Sequence, residues 1–262
     1  MNSLKISVVV PCYNSEETIE RALESIATQS CKVDEVIIVD DASEDQSQYV
    51  INNWISNYKG GSVIKFFINR VNSGVSASRN LGISEASCDL IAFLDSDDAW
   101  HSDKVKRQVS LFSADPLLYL CFHRSENLSG QINVINTINH SQKEEVLTKY
   151  RLLIKNVIPT RSVMMRNDKF FKFNETMSYS EDYDFWLRVC LSGKKIINMN
   201  TTLAYSFEDE YHSGLSSHKV KMHSGVLETY NNMYKLGLIS KLSYVSLIAL
   251  QYFKYNYKRF LK

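Results

Sequence analysis

Residues Leu90 to Trp100 read Leu-Ile-Ala-Phe-Leu-Asp-Ser-Asp-Asp-Ala-Trp, and no other stretch restricts the fold so far. Five apolar residues in a row, bounded by charge, have the length and composition of a strand buried on both faces of a sheet. Three carboxylates follow at once, Asp95, Asp97 and Asp98. Carboxylates leaving the end of a buried strand together repel one another, and a bound cation or protonation of one acid relieves the repulsion. A divalent metal is the economical reading. An acidic loop solvated at the sheet edge is the alternative.

The chain before this stretch alternates in the same way. Ile6 to Val10 is a β-branched run ending in Pro11-Cys12-Tyr13-Asn14, which predicts a buried strand entering a turn. Ser15 is placed as an N-cap, because Glu16 and Glu17 follow and Ile19, Ala22, Leu23, Ile26 and Ala27 repeat at helical spacing. Glu35 to Val39 is a second strand, ending in Asp40-Asp41-Ala42-Ser43. Strand, helix and strand with apolar strands form a βαβ unit, so the carboxyl ends of both strands share one edge. Val63 to Ile68 is a third strand, and Asn72-Ser73-Gly74 leads into a helix from Val75 to Ala86 that carries Arg79 and Asn80. After Trp100 a helix capped by Ser102 ends at Asp115-Pro116. The expected sheet is largely parallel, with ligands at its carboxyl edge, where the acids lie.

The second half has a different texture. Tyr119 to His123 and Gln131 to Ile138 are expected as strands around Ser129-Gly130, and Glu144 to Ile154 as a helix with Val146, Leu147, Tyr150 and Ile154 inward. Ser162 to Arg166 is a further strand. Ser180 is expected to cap a helix from Glu181 to Leu191 that Gly193 ends, and Ile196 to Met199 reads as a short strand. A polar stretch from Glu208 to His223 precedes two helices.

The 262 residues hold one large domain or two small ones, and a net charge of +1 argues against a nucleic-acid partner held by bulk charge. No apolar run has the length of a membrane span, and none at the N-terminus resembles a signal peptide, which predicts a soluble or peripheral protein. Five scattered cysteines without a Cys-x-x-Cys pair suggest reduced thiols in a cytosol and no zinc site.

Five motifs occur in order: Val8-Val9-Val10-Pro11-Cys12-Tyr13-Asn14, Val39-Asp40-Asp41-Ala42-Ser43, Gly74 with Arg79-Asn80-Leu81-Gly82-Ile83, Phe93-Leu94-Asp95-Ser96-Asp97-Asp98, and Glu181-Asp182-Tyr183-Asp184-Phe185-Trp186-Leu187. Together they resemble the family-2 glycosyltransferases of the GT-A fold, over residues 6 to 215. The resemblance implies a Rossmann-like, mostly parallel α/β sheet flanked by helices. Its nucleotide-binding half would span 1–115 and its acceptor half 116–215, with a small helical extension over 216–262. It implies an inverting, manganese- or magnesium-dependent transferase moving a sugar from a nucleoside diphosphate sugar, uridine favoured, to a saccharide hydroxyl.

Residue by residue, the resemblance puts Asp40 and Asp41 at the base, with Pro11 and Tyr13 beside them and Ser96 in the same nucleotide-binding set. Asp97 would ligate the metal, Asp95 would face the ribose or metal-bound water, and Arg79 would hold the pocket together. Asp182 matches the general base. Asn80, Asp98, Trp100, Glu181 and Trp186 are placed around the sugars, with core packing the other reading for the two tryptophans. His212 stands further along than the family's usual histidine: either it serves the metal through a local insertion, or no histidine does.

The chemistry asks for the same residue types. Oxygen ligands suit magnesium or manganese, and inversion needs a base from a separate part of the chain. From Gln251 to Lys262, basic residues interleave with aromatics, a composition that seats a helix on an anionic bilayer and would suit a lipid-linked acceptor. The alternative is a terminal helix packing its aromatics on the domain. Surface polysaccharide synthesis follows by analogy with short members of the family. Three rivals remain: a catalytically silent nucleotide-sugar binder, a nucleotidyltransferase, which would need a Gly-rich basic loop after the first strand, and a phosphoacceptor domain, which would leave the second half unused.

Overall fold

A computed structural model describes residues 4–128, 143–207 and 218–260. Among these, nine strands form one sheet: β1 (Ile6–Cys12), β2 (Glu35–Asp40), β3 (Val63–Ile68), β4 (Leu90–Phe93), β5 (Asp98–Trp100), β6 (Leu118–Asn127), β7 (Glu145–Val146), β8 (Met164–Arg166) and β9 (Lys195–Ser206). Their order is β3-β2-β1-β4-β8-β6-β9-β5, with β7 pairing on β9. The first four run parallel, β8 is antiparallel to both neighbours, and β6 and β9 are parallel again.

Alternation along the strands divides the interior. Val8, Val10, Ile38, Leu90 and Ala92 point to one face, beneath α1 (Ile19–Ala27), α2 (Ser47–Asn57) and α4 (Lys104–Ala114). Val9, Ile37, Val39, Ile91 and Phe93 point to the other, beneath α3 (Val75–Glu85), α5 (Lys149–Ile154), α6 (Glu181–Leu191) and α7 (Lys219–Lys235). A final helix, α8 (Lys241–Phe260), adds Leu247 to that second core. The helix α3 lies close on β1: a Cβ on Gly82 would come within 2.3 Å of a Val9 methyl. That approach fixes the height at which Arg79 and Asn80 stand over the sheet edge.

The expected strands β1, β2, β3 and β4, and the helices over Val75 and Glu181, lie where the sequence places them. Several local expectations are corrected. Helix α1 starts at Ile19 instead of after Ser15: the Ser15 carbonyl accepts from Thr18 and Ile19, and Glu16 is turned aside to the Gln46 amide. Helix α4 is preceded by Asp103, not capped by Ser102. The segment expected as one helix from Glu144 is a short strand and then α5, with Leu152 inward and Val146, Tyr150 and Ile154 exposed. The strand β9 runs to Ser206, well past Met199. Ser180 precedes α6 in the left-handed conformation, φ 58°, and makes no side-chain cap. The expected strand over Gln131 to Ile138 and the residue His212 lie outside the described residues.

Candidate active site

The parallel strands β1, β2 and β4 deliver their carboxyl ends to one edge, and the polar residues there bind one another first. Asp40 ends β2, and its carboxylate accepts from the Ser43 amide and hydroxyl and from Gln48. Asp41 accepts from Asn69, from the Ser73 amide and from the Gly74 amide at 2.7 Å. Gly74 has φ +87° at the start of α3, a backbone open mainly to glycine. The two acids therefore shape the loop walls of the expected base pocket. Pro11 is buried within β1, Tyr13 stands exposed just beyond it, and Ser96 meets Ser15 hydroxyl to hydroxyl at 2.7 Å. That bond joins the loops after β1 and β4.

The three carboxylates after β4 have three different environments. Asp95 takes a 2.7 Å ion pair from Arg79, which overcomes the effect of burial and holds the acid below the ordinary carboxylate range. Asp98 is paired with Arg161, yet burial and the charges of Asp97 and Asp95 push its proton affinity well up. Asp97 has its side chain in none of the ion pairs of the described residues, while its carbonyl accepts from Arg21 at 2.7 Å. Desolvation and the Asp95 charge raise its proton affinity too, the direction expected of a carboxylate that a cation would relieve. Among the described residues no three His, Cys, Asp or Glu side chains gather as a ready-made metal set.

Arg79 is the joint of the site. Its guanidinium is buried, and besides Asp95 it reaches Glu181 at 3.0 Å, across 102 positions of sequence. The N-terminus of α6 is thereby drawn to the acid loop. Asp182, next along, receives the Asn156 amide at 2.9 Å and the Tyr183 amide at 2.6 Å. Burial and the Glu181 charge raise its carboxyl to about 6, with Arg79 opposing. The helix is buttressed from behind: a Cβ on Gly225 of α7 would lie 2.4 Å from the Tyr179 carbonyl.

The remaining expected pocket residues divide. Asn80 clamps the loop before α6, exchanging hydrogen bonds with the Phe173 backbone and donating to Glu175. Trp186 is fully buried among Phe93, Phe173 and Phe185, a core position and not a pocket wall. Trp100 is buried beneath Lys104, whose ammonium lies 3.7 Å from the ring centre, and its indole N–H donates to the Arg161 carbonyl. Two residues that sequence reading passed over, Asn156 and Arg161, touch the centre of the site. They lie in an irregular segment without periodicity, so no local pattern marks them.

A family model described as "Glycosyl transferase family 2" matches residues 7–172. An uncharacterized glycosyltransferase of Haemophilus influenzae is 31% identical over 95% of this chain and 96% of its own length. The Escherichia coli UDP-Glc:alpha-D-GlcNAc-diphosphoundecaprenol beta-1,3-glucosyltransferase WfgD is 28% identical over 84% of this chain and 83% of its own. The amylovoran biosynthesis glycosyltransferase AmsB of Erwinia amylovora is 28% identical over 78% and 70%. Among solved structures, S. aureus TarS 1-349 in complex with UDP-GlcNAc superposes with a TM-score of 0.71 at 20% identity, over 94% of this chain and 71% of that one. The mannosyltransferase PcManGT of Pyrobaculum calidifontis, in complex with GDP-Man and Mn2+, gives 0.68 at 14%, over 95% and 69%. The chain has the GT-A fold and belongs to glycosyltransferase family 2.

Proposed function

We propose that this glycosyltransferase inverts, uses a divalent metal, manganese or magnesium, and moves a sugar from a nucleoside diphosphate sugar, a UDP-sugar by preference, to a hydroxyl of a lipid-linked saccharide during bacterial surface polysaccharide synthesis. Residues 1–115 form its nucleotide half, 116–215 its acceptor half and 216–262 its helical extension. One observation carries the reading: Arg79 bridges Asp95 and Glu181, so that a carboxyl of raised proton affinity, Asp182, lies beside the acid loop at the sheet edge. The names of the relatives support donor and acceptor: the E. coli relative uses UDP-Glc and a diphosphoundecaprenol-linked sugar, and the Erwinia relative serves amylovoran biosynthesis.

The donor set suits a hard cation. Asp97 offers a carboxylate with no ion pair in the described residues, and a diphosphate furnishes the oxygen ligands that one or two protein carboxylates leave open. When bound, the metal supplies Lewis-acid stabilisation of charge on the leaving diphosphate. The protein does the rest. The loops after β1 and β2 enclose the base, Arg79 holds Asp95 ionised, and Arg161 fixes Asp98 in place. The acceptor oxygen attacks the anomeric carbon as the bond to the diphosphate oxygen breaks, and the electron pair leaves with the diphosphate. The hydroxyl proton passes to Asp182, on the face opposite the leaving group, and the anomeric configuration inverts. A base whose proton affinity lies close to the working pH is well matched to that task.

The acceptor side extends to the C-terminal helix. No helix of the described residues is long and apolar enough to cross a membrane. Leu242, Val245, Tyr252, Phe253 and Tyr257 of α8 are nevertheless exposed, while Tyr255 stacks on His223. Those exposed side chains form the proposed peripheral contact with an anionic bilayer. Phe253→Ser should weaken partitioning onto anionic vesicles; equal partitioning would remove the membrane from the proposal.

The catalytic reading is tested by calorimetry with UDP, GDP, TDP and CDP, each with and without manganese. Metal-dependent binding of one nucleotide is expected, UDP first. No binding to any of them by folded protein would overturn the nucleotide-sugar assignment. A silent binder would bind in the same way, and turnover of the sugar nucleotide that is lost in Asp182→Asn separates the two.

A further inference from the structure

The segment between α5 and β8 touches both sides of the site. Within seven residues Asn156 donates to Asp182, Arg161 pairs with Asp98 while its carbonyl receives the Trp100 indole, and the Ser162 carbonyl receives Gln108. A tight turn, Thr160–Ser162, follows Pro159 and sets the spacing between the first two contacts. The Asn156 side chain is itself oriented. Its Oδ1 accepts from the Ile158 backbone amide at 3.2 Å, and since a backbone N–H can only donate, the other end of the side-chain amide must be the NH2 group that faces Asp182. A donor fixed in this way favours the ionised carboxylate and leaves a lone pair on each carboxylate oxygen for an incoming hydroxyl.

We infer that Asn156 is the positioning residue of the general base: it fixes the rotamer of Asp182, and through its short link to Arg161 it registers the base against the Asp97–Asp98 loop. The inference rests on the reading of Asp182 as the base. The charged groups acting on Asp182 are Glu181 of the same helix and Arg79 of α3. From α5 and α7, packed on α6, come the Leu152 and Leu153 carbonyls and Tyr230, which engage the Tyr183 hydroxyl. Among the described residues the side-chain donation to the Asp182 carboxylate comes from Asn156, while the Arg79 guanidinium bonds Asp95 and Glu181 and the Tyr230 hydroxyl bonds the Leu153 carbonyl.

The test is a carboxyl 13C NMR titration of the full chain, with the Asp182 resonance assigned by its absence in Asp182→Asn. In Asn156→Ala the Asp182 midpoint should rise by about one pH unit, because a hydrogen bond to the charged form is lost. In the isosteric Asn156→Asp, which keeps the acceptor for Ile158, it should rise further, because a second carboxyl faces the first. Binding of UDP with manganese should match the parent in both variants. Midpoints equal to the parent in both would overturn the inference. The isosteric variant guards against misfolding of the alanine variant. Failure of the base reading would show separately: Asp182→Asn would turn over sugar nucleotide at the parent rate, whereas failure of this inference alone leaves Asp182→Asn inactive with Asp182 titrating as before in the Asn156 variants.

Discussion

Two carboxylate groups meet at this site and are treated in opposite ways. In the loop after β4, arginines from other segments engage Asp95 and Asp98, and Asp97 has no such partner among the described residues. At the start of α6 Glu181 receives the Arg79 guanidinium, Asp184 pairs with Arg188 along the helix, and Asp182 is held by two neutral N–H groups. The same arginine, Arg79, serves both groups. The outcome is one acid held below the ordinary carboxylate range in the loop after β4 and another raised to about 6 at the start of α6. A single buried cation can thus set two proton affinities apart by choosing which carboxylates it touches.

The contrast can be broken at its acceptor end with the largest effect. Asp182→Asn keeps the volume and removes the proton acceptor, so turnover should fall by about a hundredfold to ten-thousandfold, with UDP-manganese affinity unchanged by calorimetry. Arg79→Met should break both ends together. It strips two largely buried carboxylates of their partner, and urea unfolding should show a loss of about 3 to 5 kcal/mol. The surviving Asp182 should then titrate higher than in the parent, since Arg79 opposes its shift.

Asp97→Ala sharpens the donor end, where nucleotide affinity should become independent of manganese; a metal-dependent variant would move the ligand role elsewhere. In the parent, the rate should rise with pH through about 6 and then level off, because the base acts only when deprotonated. Stability should run the other way across the same window. The folded state holds the Asp182 proton more tightly than the unfolded one, so its contribution is present at low pH and is lost as pH climbs through about 6. The smallest effect belongs to Ser15→Ala, which deletes the hydroxyl contact with Ser96 and should cost about 1 kcal/mol in urea unfolding.

Legibility in the sequence followed the same divide. Strands buried on both faces, such as Val36 to Val39 and Leu90 to Phe93, are continuous apolar runs and can be read directly. The Glu181 helix could be placed because its acids and its closing Gly193 punctuate it. The sequence pattern stops β9 at Met199 because Asn200, Thr201 and Thr202 interrupt its apolar run, and their hydrogen bonds and burial become visible only in the fold. Strand β5 is hidden inside the acid motif itself, where its pairing with Tyr205 and Ser206 is a tertiary fact. The candidate site was legible as residue types: the acids, Arg79 and Asp182. Who pairs with whom was not, since Asn156 and Arg161 owe their roles to a crossing between distant segments.

The bridge from Arg79 to Glu181 closes a loop of 102 positions, and the entropy of closing a long flexible loop grows only with the logarithm of its length. Doubling such a loop costs about 0.6 kcal/mol, less than one good hydrogen bond to a charged group. Chain between the acid loop and α6 can therefore be lengthened or recast at little thermodynamic expense while the two ends stay tied by one guanidinium. The chain from the acid loop to α6 is free to diversify, and Asp95 and Glu181 need not drift apart when it does.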